Sequence, residues 1–286
     1  MQCLNPTKIK VNLPFGGFAV IDAPCRRCLN CRINSATEWA LRLSIENTYW
    51  DKSIFLTLTY DDEHLPSSWS KEDITLFLKR LRKSIYPDKI SYYLVGELGE
   101  RTRRIHYHAI IFGYSPDDSI LLHYGKHSLF TSPSLARLWG KGNVSFGSVE
   151  DNSISYVTHY LLKDFGDRLN PLSGEIMSPF MRVSTRPAIA ARFFQNMSSD
   201  TDFCYFRGKK YPLPSFAKKL QKKNILTVFS SEKALSLLKV NYRRRFESVM
   251  IYNHALENVV GFVPAYLLKT AELSFKGSTP RAFATF

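Results

Sequence analysis

The run Arg104-Ile105-His106-Tyr107-His108-Ala109-Ile110-Ile111-Phe112 sets two histidines around one bulky residue inside a stretch that reads as a strand. Side chains alternate faces along a strand, so His106 and His108 point the same way. Imidazoles side by side on a rigid sheet suit a divalent metal, because the backbone fixes their separation before the ion arrives. Two polar residues on a half-exposed strand are the plainer alternative. Glu97, one predicted strand earlier, offers a carboxylate to the same face, while Glu100 competes from a turn. Two imidazoles and a carboxylate would accept Mn²⁺ or Mg²⁺, either of which binds phosphate oxygens. For Glu97 the competing role is a surface ion pair with a nearby arginine.

Candidate nucleophiles follow in Ser155-Tyr156-Val157-Thr158-His159-Tyr160-Leu161-Leu162-Lys163. On a helix Tyr156 and Tyr160 are i and i+4, and Lys163 falls on the same side, three residues beyond Tyr160. Val157 and Leu161 are then free to anchor the helix to a core. A phenol is a poor nucleophile near its free pKa of ~10. Metal polarisation of a phosphate and a nearby cation compensate for that. An aromatic i, i+4 pair also serves simple packing.

A third cluster is Cys25-x-x-Cys28-x-x-Cys31, with Cys3 able to supply a fourth thiolate. The count of five cysteines, Cys204 included, is odd and argues against a disulfide framework. Four soft ligands suit structural Zn²⁺; free or redox-active thiols are the alternative, and an iron–sulfur cluster fits less well.

These groups need elements to hold them. Residues 1–34 read as an irregular, cysteine-bearing segment punctuated by Pro6, Pro14, Gly16, Gly17 and Pro24. A helix is predicted over 35–50, and Ile54–Tyr60 is a strand with threonines on one face. Ser70 caps a helix whose Ile74, Phe77, Leu78 and Leu81 form a core-facing stripe. Strands follow at 91–97 and 106–112, then a polar insertion over 114–134, a short helix at 133–139, a strand at 143–149 and a helix from Asn152 to about Phe165. This order predicts an α+β fold: an antiparallel sheet of about five strands with helices packed on one face. The main domain would span 35–220, and a basic helical region 221–286.

Net charge is +14, and the basic residues recur in clusters that include Lys79/Arg80 and Arg101/Arg103/Arg104. With 15 Tyr, 20 Phe and 4 Trp, that excess favours a polyanionic nucleic acid over a lipid surface. A solvated basic face is the alternative for each cluster alone. No apolar run reaches a membrane-spanning length, and the first residues lack the basic-then-apolar pattern of a secretory signal, so neither insertion nor classical secretion is expected. No Gly-x-x-x-x-Gly-Lys-Ser/Thr loop is present, so an encoded ATPase is not expected either.

The set Phe55-Leu56-Thr57-Leu58-Thr59-Tyr60, Gly96-Glu97-Leu98-Gly99-Glu100, His106-Tyr107-His108 and Tyr156-x-x-x-Tyr160-x-x-Lys163 comes in the order seen in HUH endonucleases. The chain resembles in particular the rolling-circle replication initiators of gokushovirus-type Microviridae, small single-stranded DNA phages. Their cysteine cluster before a Trp-Ala-x-Arg helix is matched by Cys25/Cys28/Cys31 and Trp39-Ala40-Leu41-Arg42. The likeness covers about residues 1–220. It departs at Leu98, where the family usually has an aromatic, and at Arg104-Ile105, where it has Arg-Pro; neither removes a ligand or nucleophile.

The resemblance implies a nickase and strand transferase acting on viral DNA, both single-stranded and replicative form. His106, His108 and Glu97 would hold the metal, and Tyr156 or Tyr160 would attack the phosphate to leave a 5′-phosphotyrosine and a free 3′-OH. Lys163 would stabilise the charge, and Arg101, Arg103, Arg104, Lys79 and Arg80 would hold DNA. Host helicase and polymerase would be partners, in the cytoplasm of the bacterial host. Two other classes compete: a non-catalytic nucleic-acid-binding protein with a zinc knuckle, and a metal-dependent nuclease that uses water.

Overall fold

The computed structural model describes residues 3–12, 18–99, 103–125, 127–162, 174, 177, 180–195, 197 and 201–228. In chain order the elements are β1 (Thr7–Asn12), β2 (Phe18–Ala23), α1 (Leu29–Asn47), β3 (Ser53–Thr59), α2 (Lys71–Ser84), β4 (Ser91–Leu98) and β5 (Ile105–Phe112). Then come β6 (Ile120–His123), β7 (Leu129–Thr131), α3 (Pro133–Trp139), β8 (Val144–Ser148) and α4 (Asp151–His159), which ends in a 3₁₀ turn at Tyr160–Leu162. β9 (Met181–Val183), α5 (Ala191–Gln195), β10 (Phe203–Phe206), β11 (Lys209–Pro212) and α6 (Ser215–Val228) complete them. The chain folds as two compact units, one of residues 40–190 and one of residues 1–39 with 191–286. Among the described residues, no helix is long and apolar enough to cross a membrane.

The larger unit is the expected α+β fold around an antiparallel sheet, with strand order β6-β7-β8-β3-β5-β4-β9. It has seven strands rather than about five. β6 and β7 form a hairpin inside the insertion expected to be loop, and β9 is only three residues long. All four side chains of β6 are exposed, so no alternation marks it as a strand in the sequence.

One sheet face carries Ile54, Leu56 and Leu58 of β3 with Tyr107, Ala109 and Ile111 of β5, and α2 packs on it through Ile74, Phe77, Leu78 and Leu81. The Ser70 hydroxyl caps α2 by accepting from the Asp73 amide at 3.1 Å, as the sequence predicts. Tyr107, between the histidines, points to this face, and its hydroxyl accepts from the Ser70 N–H at 2.8 Å. The residue separating the two imidazoles thus fixes the start of α2.

The sequence predicts helices on one face only; α4 lies on the other. That second face is not a solvent face: Tyr93, Val95, Ile110 and Phe112 are all buried there. Central strands covered on both sides read as continuous apolar runs, and β4 and β5 do. On α1, the buried Arg42 donates to the Ile189 carbonyl through Nε at 3.3 Å and a terminal nitrogen at 3.2 Å. Buried Glu46 accepts from the Ala190 amide at 2.6 Å and from the Trp50 indole at 2.9 Å. Arg42 of the Trp-Ala-x-Arg motif therefore anchors the segment that follows β9.

In the smaller unit β1 and β2 pair antiparallel, from Thr7↔Ala23 to Asn12↔Phe18, within a segment expected to be irregular. Lys8, Ile9 and Lys10 are all exposed, so no buried face betrays the strand. β10 pairs with β11 in a second hairpin. α6 takes up the start of the predicted basic helical region; residues 229–286 lie outside the described ones.

Candidate catalytic face and cysteine cluster

The register of three strands assembles the site. Thr57 of β3, His108 of β5 and Val95 of β4 are cross-strand partners, and so are Thr59, His106 and Glu97. Paired residues share a face, so both imidazoles, Glu97 and Thr57 project toward α4. The glycines around Glu97 make room on both sides of the sheet. A Cβ on Gly99 would lie 2.8 Å from His106 Cε1, and one on Gly96 would lie 2.9 Å from the Trp69 ring.

His108 is held from both ends. Nε2 lies 2.9 Å from Oε2 of Glu97, and Nδ1 lies 3.0 Å from the Thr57 hydroxyl. Two ligands in adjacent positions around an octahedral ion with bonds of ~2.1 Å stand about 3 Å apart, so this nitrogen and oxygen are spaced to share a metal. Glu97, expected over Glu100, is the carboxylate that meets the histidine; Glu100 lies outside the described residues. His106 Nδ1 sits 2.8 Å from the Arg104 carbonyl, which only accepts, so Nδ1 carries the proton and Nε2 is left with its lone pair. That is the tautomer a metal ligand requires. Burial holds the His106 pKa below the usual imidazole value, which keeps the ring neutral.

The two imidazoles are near-parallel, 6.4 Å apart between centroids. They do not converge with Glu97 as tightly as the cysteines do with one another. Among the described residues, only Cys3, Cys25, Cys28 and Cys31 form a group of at least three potential ligand atoms all within 4.8 Å of each other.

Both tyrosines reach this face. Tyr160 stacks on His108 at 5.2 Å and 4°, and Phe55 stacks on the same imidazole at 5.8 Å and 2°. Tyr156 stands edge-on to all three rings, 5.7 Å from His108, 5.9 Å from Phe55 and 5.2 Å from Tyr160. The phenols are not equivalent. Tyr156 is 48% exposed and Tyr160 only 9%. Burial, then the Glu97 carboxylate and the Tyr156 hydroxyl, push the Tyr160 pKa far above that of a free phenol. The helix break at Tyr160 leaves the i, i+4 pairing intact.

Other expected site residues fall elsewhere. Lys163 and Arg101 lie outside the described residues. Arg104 pairs with Asp62 and donates to the Tyr60 carbonyl at 2.8 Å, which fastens the end of β3 to the start of β5. Arg103 takes a left-handed φ of 55° in the β4–β5 turn, its amide donating to the Gly99 carbonyl at 2.9 Å. Lys79 and Arg80 sit on α2, across the sheet from the phenols, and Arg80 donates to the Leu138 carbonyl at 3.0 Å at the end of α3. The structure thus gathers Glu97, His106, His108, Tyr156 and Tyr160, and leaves Lys79 and Arg80 away from them. Phe55 and Thr57 are site residues that the motifs do not single out; the alternation of β3, with Phe55, Thr57 and Thr59 on one face, is the signal that finds them.

The cysteines form a site of another kind. Sγ of Cys3 lies 3.9 Å from that of Cys28, and Sγ of Cys25 lies 4.0 Å from that of Cys31. Tetrahedral zinc with Zn–S bonds of ~2.3 Å needs sulfurs about 3.8 Å apart. The Cys25 amide donates to Cys3 Sγ at 3.2 Å and the Cys28 amide to Cys25 Sγ at 3.3 Å, which favours thiolates. Cys25 is accordingly lowered to about 6 by the backbone N–H groups of Cys28 and Arg27, whereas burial pushes Cys31 up to about 12. This cluster is fit to hold a metal such as zinc.

Paired imidazoles, a carboxylate and two phenols on one face of an antiparallel sheet make the arrangement expected of a phage replication initiator. Residues 53–165, which include every residue of that face, match the family described as replication-associated protein ORF2. The chain is 33% identical over 254 residues to the replication-associated protein VP4 of Bdellovibrio phage phiMH2K, covering 78% of each chain. It is 29% identical to the replication-associated protein ORF4 of Chlamydia phage 1, over 70% of this chain and 53% of that protein. With the replication-associated protein ORF2 of Spiroplasma virus 4 the identity is 34%, over 58% of this chain and 62% of that protein. The chain belongs to this family of phage replication-associated proteins. No solved structure matches it.

Proposed function

We propose that this protein initiates rolling-circle replication by nicking and rejoining single-stranded DNA at the viral origin through a 5′-phosphotyrosine intermediate. The observation that carries the reading is the packing of two phenols, Tyr156 and Tyr160, against the His108 imidazole that Glu97 holds. His106, His108 and Glu97 would hold Mg²⁺ or Mn²⁺, which supplies Lewis-acid polarisation of the scissile phosphate. The exposed Tyr156 attacks first: its oxygen bonds to phosphorus, the bond to the 3′ oxygen breaks, and that oxygen leaves as a 3′-OH with the proton. Tyr160, buried behind it, serves the second transfer, which rejoins the strand and releases a closed circle. Because the phosphotyrosine keeps the energy of the phosphodiester, joining needs no ATP. Lys163 and the basic clusters would steady phosphate charge. The cysteines would bind structural Zn²⁺, and host helicase and polymerase would act on the opened strand in the bacterial cytoplasm.

Incubation with labelled origin-bearing single-stranded DNA and Mn²⁺, followed by denaturing electrophoresis, tests this reading. A protein–DNA adduct that disappears in the Tyr156→Phe/Tyr160→Phe protein is expected. Cleavage without an adduct would mark water as the nucleophile, and binding without cleavage a non-catalytic protein; either result sinks the proposal.

A further inference from the structure

The β10–β11 hairpin has a surface that the catalytic face does not use. Its strands pair Tyr205 with Lys210 and Phe206 with Lys209, and the connection is the two-residue turn Arg207-Gly208. One side is core: Cys204 and Tyr211, another cross-strand pair, are each 1% exposed. The opposite side carries Phe203, Tyr205 and Lys210. Tyr205 is 62% exposed and stands edge-on to Phe203 at 5.6 Å, while the Lys210 ammonium lies 3.8 Å over the Phe203 ring. Arg207 and Lys209 add exposed charge at the tip, and no acidic residue lies between Phe203 and Pro212.

We infer that this hairpin is a contact surface for single-stranded DNA, with Tyr205 stacking on a base and Arg207, Lys209 and Lys210 holding the flanking phosphates. The inference rests on the reading that viral DNA is the substrate. Alternating cations and aromatic faces are what a single strand needs, since every base has a face to stack and every linkage a charge to neutralise. Edge lysines also discourage sheet-to-sheet aggregation, but that role gives no reason to expose the ring of Tyr205 beside them. The tip supplies a second, independent sign. Arg207 has φ 49° and Gly208 φ 74°, so both turn residues are left-handed, a conformation that favours Asn-Gly or Gly-Gly. A strained arginine where glycine or asparagine would fit better indicates that the charge at the tip is used.

The test measures binding of the full-length protein to labelled oligothymidylate, without added divalent metal, across a range of salt. Arg207→Gly/Lys209→Ala/Lys210→Ala should weaken binding about tenfold and flatten the slope of log K against log salt by about 2, from ~0.7 per phosphate contact on a single strand. Arg207→Gly alone relieves the turn, so its melting temperature should match or exceed the parent's while its affinity falls. Tyr205→Ala should cost about tenfold on oligothymidylate and little on duplex of random sequence, and Tyr205→Phe should restore binding. Unchanged affinity and slope in both the triple variant and Tyr205→Ala would overturn the inference. Equal losses on duplex and single strand would overturn it as well, by placing the hairpin on duplex phosphates. The readout needs no cleavage, so if no tyrosine adduct forms while these variants still lose oligothymidylate binding, the nicking proposal falls and this one stands.

Discussion

Four cysteine sulfurs stand within 4.8 Å of one another, two of them already accepting backbone N–H groups. On the catalytic face only His108 and Glu97 are in mutual reach, and His106 stands a ring apart at 6.4 Å. A closed shell of four thiolates leaves a metal no position for substrate, which is the property of a structural site. The open set leaves positions for phosphate oxygens, which is what a catalytic ion requires. Different interactions also hold each one in place. Backbone amides hold the sulfurs, whereas side chains from three strands and a helix hold His108. The difference predicts that the cluster answers to unfolding and the catalytic face to substrate.

The widest break in that comparison comes at the phenols. Tyr156→Phe/Tyr160→Phe should abolish the covalent adduct on denaturing gels while leaving zinc content and melting temperature near the parent's. Tyr156→Phe alone should lose most first-round adduct, because the remaining phenol is buried against His108. Tyr160→Phe should keep the adduct and release few closed circles. Equal adduct yields in the two single variants would contradict the assigned order.

At the cluster the expected effect is on stability. Structural zinc contributes about 10 kcal/mol or more in small zinc-finger peptides. The double substitution Cys25→Ser/Cys28→Ser should therefore remove bound zinc by mass spectrometry of the native protein and cost several kcal/mol of unfolding free energy. Brief EDTA treatment should separate the two regions. Nicking should stop at once and return with Mn²⁺, while zinc stays bound. If zinc leaves as fast as activity does, the cluster is not a closed site.

A smaller effect is expected behind His108. Thr57→Val removes the hydroxyl 3.0 Å from Nδ1 and keeps the β-branched shape. Loss of such a partner typically weakens metal binding 10- to 100-fold, or about 1.4–2.7 kcal/mol. Titration of nicking with Mn²⁺ should show a raised half-saturation, and Thr57→Ser should restore it. An unchanged metal requirement would mean that Glu97 alone orients the imidazole.

How far these features are legible in the sequence follows from periodicity. His106 and His108 declare themselves because the strand alternates strictly, and Ile74, Phe77, Leu78 and Leu81 because helical spacing repeats. β1 and β6 hide because their side chains are exposed on both faces, so nothing in the pattern distinguishes strand from loop. The position of α4 on the second face runs against the one-sided expectation, although β4 and β5 are apolar without alternation, which is the mark of burial on both sides. The fixed partners of Arg80 and Arg104 cannot be read from sequence at all. A basic residue looks the same there whether it faces solvent, a phosphate or a carbonyl 58 residues away, as Arg80 does at Leu138.

The mildest expected effect lies on the face opposite both phenols, and it controls for general stability. Asp73 accepts from the Tyr60 hydroxyl at 2.9 Å and faces the Lys141 ammonium at 3.2 Å. Burial alone would raise its pKa, but the bonds from Ser70, Tyr60 and Lys141 together hold it below the usual carboxylate value. A depressed carboxylate stabilises the fold fully above its unfolded pKa of ~3.9, and that stabilisation is lost as pH falls through the lower, folded value. Asp73→Asn should therefore cost about 1–2 kcal/mol at neutral pH, in line with a hydrogen bond to a charged group. The gap between parent and variant in urea unfolding should close as pH drops below about 4, since both then carry a neutral side chain. Protonation of the cysteines affects both proteins alike and cancels in that gap. Zinc content and the Mn²⁺ requirement should not change. A shift in either would tie α2 to the metal sites and dissolve the distinction between a cluster that holds the chain and a face that acts on DNA.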